Sequence, residues 1–186
     1  MLIDPTQNEL AIIRERLNAL FTGQGAGLYG GEYITQLEHA LQTALMAEEA
    51  GEPAPMILAA LLHDVGHFFE SDFDEALSSR TDARHERIGA KYLSRWFGPE
   101  VAEPVRLHVE AKRYLCSVSP AYLTTLSEAS IHSLALQGGP MGRQEIESFV
   151  ARPFAAQAVR LRQYDDRAKI VDRATPPLDH FLGLIR

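Results

Sequence analysis

Apolar side chains recur along this chain at helical spacing and almost nowhere alternate as they would in a strand. Asp4-Pro5 predicts the start of a helix reaching about Phe21, with proline in the first turn and Gln7 placed for a capping box. The segment Thr22–Gly31 holds five glycines and reads as a loop. A second helix is expected from near Thr35, with Glu38 three residues on as its capping partner, to Gly51; its apolar stripe is Leu37, Leu41, Ala44 and Leu45. Pro55 opens a third, from Met56 to about Asp64. The polar stretch Glu70–Thr81 reads as a loop. A fourth helix is expected from about Ala83 to Phe97, stopping at Gly98-Pro99, and a fifth over about Glu100–Lys112. Ser119-Pro120 starts a sixth that ends at Gly138-Gly139. A short helix around Arg143–Phe149 follows, then one from Pro153 to about Val171, and Pro176-Pro177 ends regular structure. The fold class is all-α. With no repeat, low-complexity tract or long linker, residues 1–186 read as one domain.

Bulk composition narrows the function without naming it. An apolar fraction of 46% and a charged fraction of 23% are ordinary for a globular protein. A net charge of −7 argues against a nucleic-acid surface, though not against a local basic pocket. The single cysteine, Cys116, excludes an internal disulfide and a thiolate metal cluster, and fits a reducing cytoplasm. The N-terminus lacks a charged-then-apolar leader pattern. No apolar run approaches the roughly 18 residues of a membrane span. A cytoplasmic location off the membrane is the expectation.

The chemistry concentrates in six residues of metal-ligand type: His39, His63, Asp64, His85, His108 and Asp165. His63-Asp64 closes the apolar run Ile57–Leu62, where an uncompensated charge would be costly and a bound cation would remove the cost. An adjacent His and Asp can grip one ion, and the second carboxylate oxygen can bridge to another. Any one of these histidines alone would read as an ordinary polar residue; their combination does not. Nitrogen and oxygen donors without sulfur suit two borderline ions such as iron. His67, four residues after His63, can share its side of the chain.

His39, His63-Asp64 and Asp165 resemble the H…HD…D signature of the HD-domain superfamily. The resemblance is closer still to its small di-iron oxygenases of organophosphonate breakdown, relatives of myo-inositol oxygenase. It runs from about Tyr29 to Lys169 and rests on Gln36-Leu37-Glu38-His39, Ile57-Leu58-Ala59-Ala60-Leu61-Leu62-His63-Asp64, Ala111-Lys112-Arg113-Tyr114-Leu115 and Gln137-Gly138-Gly139-Pro140-Met141. The first two strings are generic to HD proteins, and the last two are more specific. The resemblance implies a single HD-domain helical bundle with a metal site in its core. It implies one iron on His39, His63, Asp64 and Asp165, and another on His85, His108 and the second oxygen of Asp64, as a mixed-valent Fe(II)/Fe(III) pair with O2 as co-substrate. Asp166 is the rival of Asp165; the family's aromatic-Asp-x-x-x-Lys pattern, matched by Tyr164-Asp165 and Lys169, selects Asp165.

The same resemblance implies a small-molecule substrate, a 1-hydroxy-2-(trimethylammonio or amino)ethylphosphonate, cut at its carbon–phosphorus bond to phosphate and glycine betaine or glycine. Lys112, Ser130, Gln137 and Arg162 match its substrate-binding positions. Lys112 lies one turn after His108, Arg162 lies three before Asp165, and Ser130 and Gln137 are two turns apart on one face. Cations and hydroxyl or amide donors are what a phosphonate dianion requires. Tyr29 and Glu32, beside the glycine-rich loop, are expected to form a gate, and His67 to serve as an acid/base or support residue. Glu38 is left to capping. Tyr33, Phe68, Phe69 and Tyr164 lie near the ligands in sequence, and an aromatic at Tyr33 favours the quaternary ammonium. The alternatives are an HD-type metal-dependent phosphohydrolase and a non-catalytic module that senses a phosphorylated ligand.

Overall fold

The computed structural model describes residues 7–30, 32–69 and 84–186. Its helices are α1 (Gln7–Gln24), α2 (Gln36–Glu49), α3 (Ala54–Leu62), α4 (His85–Leu93), α5 (Pro99–Val118), α6 (Pro120–Leu123), α7 (Glu128–Leu136), α8 (Arg143–Val150), α9 (Ala155–Arg167) and α10 (Leu178–Leu182), with a 3-10 turn at Val65–Phe69 after α3. The expected helix start at Asp4-Pro5, the last loop glycine at Gly31, the Glu70–Thr81 loop and the start at Ala83 lie outside the described residues. The described residues contain no strand, only an isolated antiparallel bridge between Leu28 and Thr35 that closes the glycine-rich loop. The all-α expectation holds.

Centrality follows from which faces are apolar. Every residue of α3 from Met56 to Leu62 is buried, so this helix has no solvent face and must run through the middle. The long α5 packs against α3, α4 and α9 and forms the second axis. These two helices therefore carry their polar residues into the interior. The start of α2 is fixed by the expected capping box: Thr35 Oγ1 accepts from the Glu38 amide at 3.1 Å, and Glu38 Oε2 accepts from the Thr35 amide at 2.6 Å.

Five boundaries differ from expectation, the first being α4, which stops at Leu93 rather than Phe97. α5 continues past Lys112 to Val118, because no breaker intervenes before Ser119-Pro120; Lys112 is therefore mid-helix and buried, not at a solvated end. The expected sixth helix is two, since Ser127 accepts from the Ser130 amide and caps a fresh start at α7. α9 stops at Arg167 rather than Val171. Past Pro177 the chain does not fall out of regular structure. Pro177 is the N-cap of α10, whose Leu178, Phe181 and Leu182 join Ile185 in the core. No helix among the described residues is long and apolar enough to cross a membrane.

Candidate metal centre

Five helices and their ends meet at one point. α2 supplies His39, the end of α3 supplies His63 and Asp64, α4 begins with His85, α5 supplies His108 and α9 supplies Asp165. His39, His63, His108 and Asp165 are each about fully buried, at 1%, 0%, 1% and 1% exposure. These values leave solvent no role in satisfying them.

The ring orientations are fixed from behind. His39 Nδ1 faces the Ala168 carbonyl at 2.8 Å, His63 Nδ1 the Ala60 carbonyl at 2.9 Å and His108 Nδ1 the Val105 carbonyl at 2.7 Å. A carbonyl can only accept, so each Nδ1 carries the hydrogen, and in the neutral ring Nε2 is a lone pair. Those lone pairs converge: His39 Nε2 is 3.2 Å from His63 Nε2, and His85 Nε2 is 3.1 Å from His108 Nε2. Two lone pairs at that distance repel unless something positive lies beside them.

The carboxylates complete two clusters. Asp165 Oδ1 is 3.3 Å from His39 Nε2 and 3.8 Å from His63 Nε2. Asp64 divides its oxygens: Oδ2 lies 3.2 Å from His63 Nε2, while Oδ1 lies 3.2 Å from His85 Nε2 and 3.6 Å from His108 Nε2. Asp64 Oδ2 and Asp165 Oδ1 are buried and have no hydrogen-bond partner among the described residues. Without a cation the cluster turns to protons. Burial lowers the pKa of His63, but the Asp64 and Asp165 charges overcome it and raise it to about 9. Burial and the charge of His85 push His108 well down, leaving it neutral. Unpartnered carboxylate oxygens and converging imidazole lone pairs fit metal ions of the nitrogen- and oxygen-loving first row. His39, His63 and Asp165 have donor atoms mutually close enough for one ion, and so do Asp64, His67 and His85.

Asp166 takes a different path from Asp165. Arg162 Nη1 donates to Asp165 Oδ2 at 2.9 Å, Nη2 donates to Asp166 Oδ1, and the Tyr122 hydroxyl donates to Asp166 Oδ2. Asp165 faces the histidines, and Asp166 anchors the arginine.

Cations and hydroxyls gather beside this centre. Lys112 Nζ donates to Ser133 Oγ at 2.8 Å, and burial, aided by the charge of Arg162, pulls its pKa down to about 7. Lys169 Nζ donates to Ser130 Oγ at 3.1 Å and Ser127 Oγ at 3.3 Å. Gln137 caps the far end of α7 and is half-buried, its Oε1 without a hydrogen-bond partner among the described residues. Tyr29 stacks on the His39 ring with centroids 3.8 Å apart. Burial and the Asp64 and Asp165 charges raise its pKa, so it stays a neutral phenol. Glu32 pairs with Lys169 at 3.4 Å. His67 stacks on His85 with centroids 4.0 Å apart, its Nε2 3.9 Å from Asp64 Oδ1.

The profile of the HD domain family matches residues 37–174, which span His39 to Asp165. The chain belongs to the HD-domain family. Among its curated relatives is the [1-hydroxy-2-(trimethylamino)ethyl]phosphonate dioxygenase (glycine-betaine-forming) of Leisingera caerulea, 41% identical over 94% of this chain and 89% of that protein. The hydroxymethylphosphonate dioxygenase of Gimesia maris is 45% identical over 90% of this chain and 85% of its own length. An uncharacterized protein of Acanthamoeba polyphaga mimivirus, L432, is 39% identical over 89% and 77%. The family resemblance read from the sequence is thus the right one, and it reaches the phosphonate dioxygenase branch.

Within this HD domain the aromatic residues expected near the substrate are placed otherwise. Tyr33 is 91% exposed, so it gives no support to a quaternary ammonium site. Phe68 packs edge-on against Phe21, Phe69 against Tyr92, and the Tyr164 hydroxyl bonds to Glu52. Glu38 is spent on its capping box, as expected. Sequence reasoning passed over Ser127, Ser133, Tyr122 and the side chain of Lys169. The hydroxyls at Ser127, Ser130 and Ser133 recur every third residue and so share a face, a signal that was available. Lys169 was hidden by the helix expected to run through it.

Proposed function

We propose that this HD-domain protein is a di-iron dioxygenase that cleaves the carbon–phosphorus bond of a 1-hydroxyphosphonate with a nitrogen group at carbon 2, trimethylammonio or amino. The products would be phosphate and glycine betaine or glycine. One observation carries the reading: Asp64 turns its two oxygens to two separate histidine pairs, next to a pocket of buried cations and hydroxyls. Its relatives' names share the hydroxyphosphonate core. His39, His63, Asp64 and Asp165 would hold one iron; His85, His108 and Asp64 the other. When bound, such a mixed-valent pair supplies dioxygen activation and the electron transfers that no side chain can.

The protein's residues do the placing. Lys112, Arg162, Ser130 and Gln137 would receive the phosphonate; a dianion beside Lys112 would restore the charge that burial and Arg162 suppress. Tyr29 shields His39 from water. His67, against His85, is assigned the handling of a proton at the second site. In the balanced reaction the carbon 1–hydrogen and carbon 1–phosphorus bonds break, carbon 1 rises to a carboxylate, and dioxygen is consumed. The test is phosphorus NMR on iron-loaded protein with each 2-substituted 1-hydroxyethylphosphonate, in air and without oxygen. Phosphate appearing only in air is the expected result, and the faster tube identifies the nitrogen group. Iron-loaded protein that instead releases phosphate from esters without oxygen would replace this reading with a phosphohydrolase.

A further inference from the structure

Arg162 faces two carboxylates of its own helix, three and four residues on, and divides its arms between them. Nη1 donates to Asp165 Oδ2 at 2.9 Å, and Nη2 donates to Asp166 Oδ1. Its Nε is buried and has no hydrogen-bond partner among the described residues, so the two Nη arms set how the guanidinium lies. A guanidinium and a carboxylate pair best through two parallel bonds, from two nitrogens to two oxygens. Asp165 has the second oxygen for such a pair. Its Oδ1 is buried, has no hydrogen-bond partner among the described residues, and lies 3.3 Å from His39 Nε2. The pairing that suits Arg162 best is therefore the one that would use up the oxygen facing the histidines.

Asp166 holds the second arm elsewhere, and it is itself held. The Tyr122 hydroxyl donates to Asp166 Oδ2, so each oxygen of this carboxylate has a donor. Burial raises the pKa of Tyr122 and outweighs the opposing charge of Arg162, so the phenol keeps the proton it donates. Tyr122 comes from α6, the four-residue helix in the link between α5 and α7. Ser119 Oγ accepts from the Tyr122 amide at 3.2 Å, and the side chain packs against the apolar group of Cys116, Leu126 and Leu134. α6 supplies none of the six candidate ligands, yet through Tyr122 it reaches the helix that carries Asp165.

We infer that Tyr122 and Asp166 are positioning residues that keep one arm of Arg162 off Asp165, so that Asp165 Oδ1 stays open to a metal ion at His39 and His63. This deepens the proposed function and rests on its metal centre, not on its substrate. Asp166 stands one residue before the end of α9, and its side chain is less enclosed than that of Asp165, at 8% against 2% exposure. Without the phenol this carboxylate turns to water and releases Nη2. The freed arm then closes the second bond to Asp165, and a carboxylate neutralised on both oxygens is a poor ligand.

Titration of the metal-free, full-length protein with Fe(II) under nitrogen, in competition with a coloured chelator, tests this without turnover. Tyr122→Phe keeps the ring and every charge and removes only the hydroxyl. It should weaken one of the two bound equivalents about fivefold, the size of one hydrogen bond, and Asp166→Asn should weaken the same equivalent at least as much. Joining Tyr122→Phe to Arg162→Met is the deciding step. With no guanidinium to misplace, the lost hydroxyl should leave iron binding as it is in Arg162→Met alone. A hydroxyl that merely braced the fold would cost the same with or without Arg162. Fe(II) binding in Tyr122→Phe equal to the parent's would overturn the inference, and so would a loss that persists in full beside Arg162→Met. Arg162→Gln, which keeps a neutral donor for the carboxylates, replaces Arg162→Met if that variant folds poorly. A parent protein that binds no Fe(II) would overturn the metal centre and the inference together. A parent that binds two equivalents, matched by Tyr122→Phe, would overturn the inference alone.

Discussion

Asp64 is the residue on which the proposed centre turns, because its oxygens face different histidine pairs. Asp64→Ala should therefore empty both sites, whereas His108→Ala should spare the cluster of His39, His63 and Asp165 and keep about half of the metal; elemental analysis of the purified proteins distinguishes the two patterns. If Asp64→Ala and His108→Ala lost metal equally, the two clusters would not be separable sites. Individual ligands were legible in the sequence because a histidine or aspartate in an apolar run needs a partner, and His63-Asp64 follows such a run. What each ligand leans on was not. The Nδ1 partner of His39 is a backbone carbonyl 129 positions away, and carbonyls leave no mark in a sequence. Arg162 has Asp165 and Asp166 three and four residues on along one helix, both within reach, and it pairs with both.

At the scale of elements, signals at helix starts were read more safely than those at helix ends. Thr35 and Glu38 form the box that their spacing predicts, and Thr35→Ala should cost about 1 kcal/mol in urea unfolding. Ends fail where a stop is tertiary: α9 halts because Ala168 and Ile170 are claimed by α2, not because of any local breaker. The 3-10 turn and α4 meet at Gly66, where an added Cβ would come within 2.0 Å of the His85 carbonyl oxygen. Gly66→Ala should push α4 away, lower stability by about 3 kcal/mol and deplete the metal bound at His85 and His108; urea titration and elemental analysis read both effects. The α2–α3 connection is tied to α9 by Glu52, which accepts from Arg160 at 2.6 Å and from the Tyr164 hydroxyl at 3.0 Å. Burial raises its pKa, but these donors prevail and depress it. A depressed carboxylate adds stability above its unfolded pKa near 4.5, and that stability is lost as pH falls through the folded value. Glu52→Gln should therefore lose roughly 1 kcal/mol at pH 7 and show a flatter acid limb in a series of melting curves, the half-exposed Arg160 keeping the figure small.

For the whole molecule, the candidate ligands come from positions 39 to 165, so bound ions would cross-link five distant parts of the chain. Chelation should lower the melting temperature by several degrees, and the loss should shrink at lower pH, where protons already compete with the ions for the histidines; calorimetry with and without metal checks this. The apolar periodicity made the all-α class readable, but it could not show that the tail beyond Pro177 belongs to the core. A short apolar stretch says only that it must be covered, not by what; here Phe181 and Ile185 pack into the main core cluster with α1 and α3. The serines against Lys112 and Lys169 stand on α7 and its cap, an element that supplies none of the six candidate ligands. In the proposed function, Lys112 and Arg162 share their helices with the candidate ligands His108 and Asp165, while the serines and Gln137 stand apart from that frame. If α7 serves the proposed pocket, substitutions along it would retune which anion is accepted while the ion-holding frame stays intact, and a lineage built on this plan would change its diet without relearning its chemistry.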